Sequence, residues 1–181
     1  MSLIHKIIFM SIFIISNAFA KNSVSPLALS ETSTQLKATY IYNLLHYVTK
    51  QGHKKNRKNF TICLHKREDL FQSLKKYEHK KINKMELKLK KINDNKACLR
   101  SCQMVILPKL NDTKLKTFIK KAKNRNVITL SDVEGCAKKG IMIYLKDLTS
   151  KIEFKINLKE MQKANVKLSS RILKLSTIVE R

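Results

Sequence analysis

The sequence predicts one α/β domain in three layers: a largely parallel sheet flanked by helices, with a C-terminal β-hairpin. Three observations predict it. Segments with helical spacing alternate with short β-type segments along the chain, the pattern of crossover-connected strands. Met104-Val105-Ile106-Leu107 and Val127-Ile128-Thr129-Leu130 are almost continuously apolar, as strands buried on both faces require. Ile141–Leu145 and Lys151–Ile156 are joined by a short connection, which favours an antiparallel pair. At 181 residues the chain is long enough to bury a substantial core in a single unit.

The elements follow in order. Thr32-Ser33-Thr34-Gln35 fits a capping box, after which Leu36, Tyr40, Ile41, Leu44, Leu45 and Val48 share one helical face; this helix is expected to end before Gly52. His53–Asn59 is basic and polar and reads as a solvated loop. Phe60–Leu64 is a short strand, and Asp69 is placed to cap a helix carrying Leu70, Phe71, Leu74 and Tyr77. Met85–Lys90 alternates apolar and charged residues, the period of a half-exposed strand. Met104–Leu107 is a buried strand stopped by Pro108, and Asp112 opens a helix with Leu115, Phe118, Ile119 and Ala122. Val127–Leu130 closes at Ser131-Asp132. After the hairpin, Asn157 caps a helix over Leu158–Ala164, and Ser169 or Ser170 caps a final helix carrying Ile172, Leu173, Leu175 and Ile178.

Met1–Ala20 reads as a secretory signal. His5 and Lys6 precede an apolar run, Ile7 to Ile15, that is too short for a bilayer core of ~30 Å. Ala18-Phe19-Ala20 supplies the small residues of a cleavage site. The expected organisation is therefore a signal over 1–20, a tether over 21–29 containing Pro26, and a domain over 30–181. Cleavage after Ala20 would leave a periplasmic chain with a charge of +24.

The full chain carries 38 Lys+Arg against 13 Asp+Glu, a net charge of +25. Such a balance raises the question of an anionic partner. Only 6 of these cations are arginine, whereas base-edge and bidentate phosphate recognition favours arginine. The charge is also spread through every segment. Export removes cytosolic nucleic acid from the available partners, and surface solvation is the simpler account of the lysines. With 43% apolar residues the chain is too hydrophobic for a disordered polycation.

No catalytic constellation stands out, so no enzymatic activity and no cofactor are expected. There is no Gly-rich phosphate loop and no nucleophile elbow. Glu68-Asp69 reads as helix-start charge rather than an acid–base pair. Four cysteines in an oxidising compartment favour disulfides. Metal binding is disfavoured because only Cys98 and Cys102 are closely spaced and the five histidines are scattered.

An ordered series of segments carries a family resemblance: Lys37–Leu44, Phe60–Leu64, Cys102–Leu107, Val127–Asp132, Gly140–Ile143, Ile152–Leu158 and Leu168–Leu175. Behind a signal peptide, this series resembles the YfiR family of periplasmic proteins. The resemblance implies a repressor that binds the periplasmic sensor domain of an inner-membrane diguanylate cyclase. The resemblance further implies that an outer-membrane lipoprotein can sequester the repressor, coupling envelope or redox stress to cyclic di-GMP and biofilm formation. It also implies a homodimer. The chain departs from the family pattern where Tyr47-Val48-Thr49-Lys50 replaces an aromatic and Trp-Pro, and where Lys139-Gly140 replaces Gly-Gly. Phe154-Lys155-Ile156-Asn157 stands where Glu usually follows Phe.

Four cysteines allow three pairings, and the sequence does not choose among them. Cys63 in one strand and Cys102 just before another are compatible with a bond, the pair that the resemblance supports; Cys98–Cys136 is then the second candidate. The partner-binding surface is expected on the hairpin and last helix, at Phe154, Lys155, Asn157, Ser170 and Arg171. Phe154 and Lys155 alternate along a strand, so both point outward only at a twist or strand end. Two other functions compete. One is a small-ligand sensor with a crevice at the strand ends near Cys63–His65, Leu107 and Ser131-Asp132. The other is a secreted cationic protein binding anionic material through its charge.

Overall fold

The computed structural model describes residues 26–50, 57–93, 98–148, 151–174 and 176–179. The expected signal, Met1–Ala20, and most of the expected tether lie outside them. Helix α1 (Pro26–Leu45) begins inside that tether, ahead of the expected capping box. Proline suits this position because the first helical turn leaves its N–H groups without partners in any case. At its other end α1 stops short of the expected boundary: His46 and Tyr47 turn the chain into strand β1 (Val48–Lys50).

The central elements follow the sequence reading closely. They are β2 (Asn59–His65), α2 (Glu68–Leu74), the two-residue β3 (Lys81–Ile82) and β4 (Met85–Ile92). Next come β5 (Met104–Ile106), α3 (Asp112–Lys123), β6 (Ile128–Ser131), β7 (Ile143–Leu148) and β8 (Lys151–Ile156). Helix α3 opens at Asp112 as expected, and its cap is Asn111, whose side chain accepts the Lys114 N–H at 2.9 Å. Helix α2 has no side-chain cap; Asp69 lies in its first turn and pairs with Arg67 instead.

The C-terminal region is α4 (Leu158–Lys163), β9 (Val166–Leu168), α5 (Ser170–Lys174) and β10 (Ser176–Ile178). The expected last helix is thus cut short. Ser176 Oγ donates to the Leu173 carbonyl at 3.1 Å, and β-branched Thr177 and Ile178 then pair in parallel with Lys155 and Ile156. Strand β9 pairs antiparallel with β1, Val48 opposite Leu168.

The main sheet runs β10-β8-β7-β6-β5-β2-β4-β3. Its pairs are parallel except β7–β8 and β3–β4. Strand alternation divides the core into two layers. Phe60, Ile62, Leu64, Met104, Ile106, Leu130, Leu145 and Phe154 share one layer with Ile41, Leu44 and Leu45 of α1 and Leu70 and Leu74 of α2. Cys63, Val105, Leu107, Val127 and Tyr144 form the other with Leu115 and Ala122 of α3. Each buried large aliphatic side chain contributes about 1.5–3 kcal/mol relative to exposure, so both layers are needed to close the sheet.

Candidate functional site

Strand order reverses at β2: β4 lies on one side, and β5, β6 and β7 follow on the other. Open α/β sheets bind ligands at such switch points, beyond the carboxyl ends of the strands. Here the β2–β6 part of that edge is filled by the chain's own charges, and a cavity of about 220 Å³ lies beyond the ends of β2 and β4. Arg67, just past β2, reaches Asp132 at the end of β6 with Nη1–Oδ1 2.6 Å and Nη2–Oδ2 3.1 Å. The same guanidinium holds Asp69 through Nε at 3.0 Å and Nη2 at 2.9 Å. Lys37 of α1 adds contacts to Asp132 at 3.1 Å and Asp147 at 3.2 Å, and the Ser33 hydroxyl also donates to Asp147.

Burial alone would push the Asp132 carboxyl up, but bonding and charge from Arg67 and then Lys37 outweigh it and hold the group below its ordinary value. Burial likewise opposes the Arg67 charge, yet Asp69 and Asp132 raise its pKa above the usual arginine value. Nearby polar groups are also engaged. Ser131 Oγ donates to the Leu107 carbonyl at 2.9 Å, and the buried His65 ring lies 4.8 Å from that of Phe118. The expected crevice near Cys63–His65, Leu107 and Ser131-Asp132 is therefore a structural clasp.

Cys63 and Cys102 are joined by a disulfide, with Cα atoms 5.7 Å apart. It fastens β2 to the amino-terminal approach of β5. Cys136 carries a free, buried thiol, so the Cys98–Cys136 bridge is not formed. Its thiol belongs to the apolar layer with Leu115, Val127 and Ile141, and burial pushes its pKa up to about 11.

The residues expected to form one partner surface are divided. Phe154 is 6% exposed and packs on Tyr40, ring centroids 5.7 Å apart. Asn157 is 3% exposed; it donates to the Ala137 carbonyl at 3.0 Å and accepts the Glu160 N–H at 3.1 Å. Both belong to the interior, because alternation along β8 turns Ile152, Phe154 and Ile156 toward α1 and β10 covers the outer edge of β8. Lys155 points the opposite way, into a cavity of about 270 Å³ shared with Lys138, Tyr144 and Lys146. Ser170 and Arg171 are exposed on α5, whose Ile172 is buried on the α1 side of the sheet. The cavity was not legible in the sequence. Its one local signal is the hairpin register, which sets Tyr144 opposite Lys155.

A family model described as YfiR/HmsC-like matches residues 34–177. The chain belongs to the YfiR/HmsC-like family. The match runs from α1 to the middle of β10, so it spans both core layers, the disulfide and the clasp. No curated protein matches the chain. Among solved structures, a conserved domain protein from Vibrio cholerae O1 biovar El Tor str. N16961 is similar with a TM-score of 0.55 at 10% identity. That alignment covers 81% of this chain and 60% of the Vibrio protein, and at this identity it speaks for the fold alone. Among the described residues, no helix of this YfiR/HmsC-like chain is long and apolar enough to cross a membrane.

Proposed function

We infer that the chain is a periplasmic regulator that binds the sensor domain of an inner-membrane diguanylate cyclase and keeps the cyclase inactive. In this reading an outer-membrane lipoprotein competes for it under envelope or redox stress. The observation that carries the reading is the YfiR/HmsC-like match over residues 34–177, which takes in every strand of the main sheet but the last residue of β10. The buried Cys63–Cys102 bond is in keeping with an oxidising compartment. Lys155, Ser170 and Arg171 remain the contacts of choice, since their heads are accessible while Phe154 and Asn157 are committed to the core. An acidic sensor surface would be attracted by the two cations, which would speed association and select the partner.

The test restores wild type, Lys155→Glu or Arg171→Glu to a strain lacking the gene, with folding checked by circular dichroism and cyclic di-GMP measured. Wild type should lower cyclic di-GMP and co-purify with the cyclase's periplasmic domain, and both variants should do so less well. Unchanged cyclic di-GMP on restoring wild type would overturn the regulatory reading. Full repression by both folded variants would remove these residues from the interface.

A further inference from the structure

The face of the sheet opposite α1 is covered unevenly. Helix α3 packs its Leu115 and Ala122 over the strands near Cys63, Val105 and Val127. Beyond it, over β7, β8 and β10, that face carries polar residues. Register sets Tyr144 opposite Lys155 and Lys146 opposite Glu153, and Thr177 opposite Lys155 on the other side. The single-turn helix Cys136–Lys139, held between the left-handed Gly135 and Gly140, brings Lys138 and Glu134 to the same place. The result is the cavity of about 270 Å³, with Glu134, Lys138, Tyr144, Lys146, Lys155 and Val179 in its wall.

We propose that this cavity is a binding site for a small phosphate monoester. Lys138, Lys146 and Lys155 face Glu134 there, and Glu153, opposite Lys146 in the register, also lies in the field of Lys155 and Lys146. The ammonium groups still outnumber the carboxylates, which suits an anion with several acceptor oxygens. None of the three lysines has a carboxylate within salt-bridge distance among the described residues. The contrast with the adjacent Lys139, paired with Asp112 at 2.7 Å, shows that partners are within reach of this turn. Glu153, the other acid on this face, accepts the Thr177 hydroxyl.

Lysine binds phosphate as a point charge and does not need the planar fork that favours arginine. Tyr144 adds a donor: burial first, and then Glu134, pushes its phenol up, so the proton is present at neutral pH. Gly135, at φ +75°, has open space where a Cβ would stand, which leaves the rim accessible. The volume is just under the ~300 Å³ at which drug-sized pockets begin. It therefore suits a single ring or short chain bearing the phosphate rather than a nucleotide. An anion bound to the folded state alone would stabilise it by mass action. The proposal shares Lys155 with the regulatory reading, but it is tested on the purified chain without any cyclase, so the two fail separately.

The test is calorimetric titration at fixed ionic strength with phenyl phosphate, inorganic phosphate and benzoate as probes. Phenyl phosphate should saturate at one per chain. Benzoate, a monoanion of the same ring, should bind at least tenfold more weakly. Lys146→Gln with Lys155→Gln should weaken phenyl phosphate by about tenfold or more, the range of one or two lost charged hydrogen bonds. Lys138→Gln, on an exposed turn that tolerates change, should weaken it severalfold. Lys120→Gln with Lys121→Gln on α3 removes as much charge from elsewhere and should change binding less than twofold. Non-saturating binding would overturn the site. So would equal losses in the α3 variant and the cavity variants, because the overall charge would then be the cause.

Discussion

Arg67 and Asp132, 65 positions apart, meet in a two-pronged ion pair of 2.6 and 3.1 Å. The pair spans β5 and ties the end of β2 to the end of β6, filling the β2–β6 part of the carboxyl edge of the sheet. Lys37 extends the tie to α1. Between β2 and β6 the carboxyl edge therefore serves cohesion, while a cavity of about 220 Å³ remains beyond the ends of β2 and β4, with Lys66, Arg67, Glu68 and Lys91 in its wall.

Asp132→Asn should lower stability by about 2–3 kcal/mol, because it leaves the largely buried Arg67 and Lys37 with one fewer charged acceptor. The folded carboxyl is held below its ordinary value of about 3.9. Its contribution is thus complete above the unfolded-state pKa and is lost as pH falls through the folded one. Urea denaturation at a series of pH values should show wild type losing stability below about pH 4, with the variant losing less across that window. Parallel acid limbs would show that Asp132 is not held by this pair.

Replacing both Cys63 and Cys102 with alanine should cost about 4 kcal/mol by the loop-entropy model for the 39-residue separation. Both residues are buried, so a mild reductant should open the bond only through unfolding. A folded wild type whose midpoint is unmoved by reduction would contradict this.

The Cys136 thiol is buried and pushed up to about 11, so almost none of it is thiolate at pH 8. Iodoacetamide should leave the Cys136 peptide unmodified in the native protein and label it fully in denaturant. Rapid native labelling, read by peptide mass spectrometry, would place the thiol at the surface instead.

Asn157→Ala removes the cap of α4 and the buried donor to Ala137 together. A cap contributes about 1 kcal/mol and a stranded buried acceptor costs about 1–3 kcal/mol. Thermal or chemical denaturation should show a loss of about 2–3 kcal/mol. Any weakening of a partner should then follow the folded fraction. Weaker co-purification at unchanged stability would return Asn157 to an interface role.

The helices and strands of the middle of the chain were legible because their signals are local. Periodicity marks the buried face of β4 and α3, and unbroken apolar runs mark β5 and β6. Asn157 was read correctly as a cap and wrongly as a contact, since one residue's neighbours in sequence do not reveal its burial. The end of the chain misled for a related reason. Ile172, Leu173 and Ile178 fit one helical face, but Thr177 and Ile178 also fit a strand once the edge of β8 stands beside them.

What the sequence by itself determined was the fold class, the order of most elements, the hairpin, and a family resemblance carried by ordered motifs. Each of these rests on residues within a few positions of one another. Tertiary structure alone decided the pairing of β1 with β9, the conversion of the last helical turns into β10, and which of the two alternating faces of β8 packs on α1. It also decided which cysteines meet and that Arg67 closes the strand-end crevice on Asp132. These depend on strand register and crossover, which bring together side chains from distant segments and decide which are left facing water.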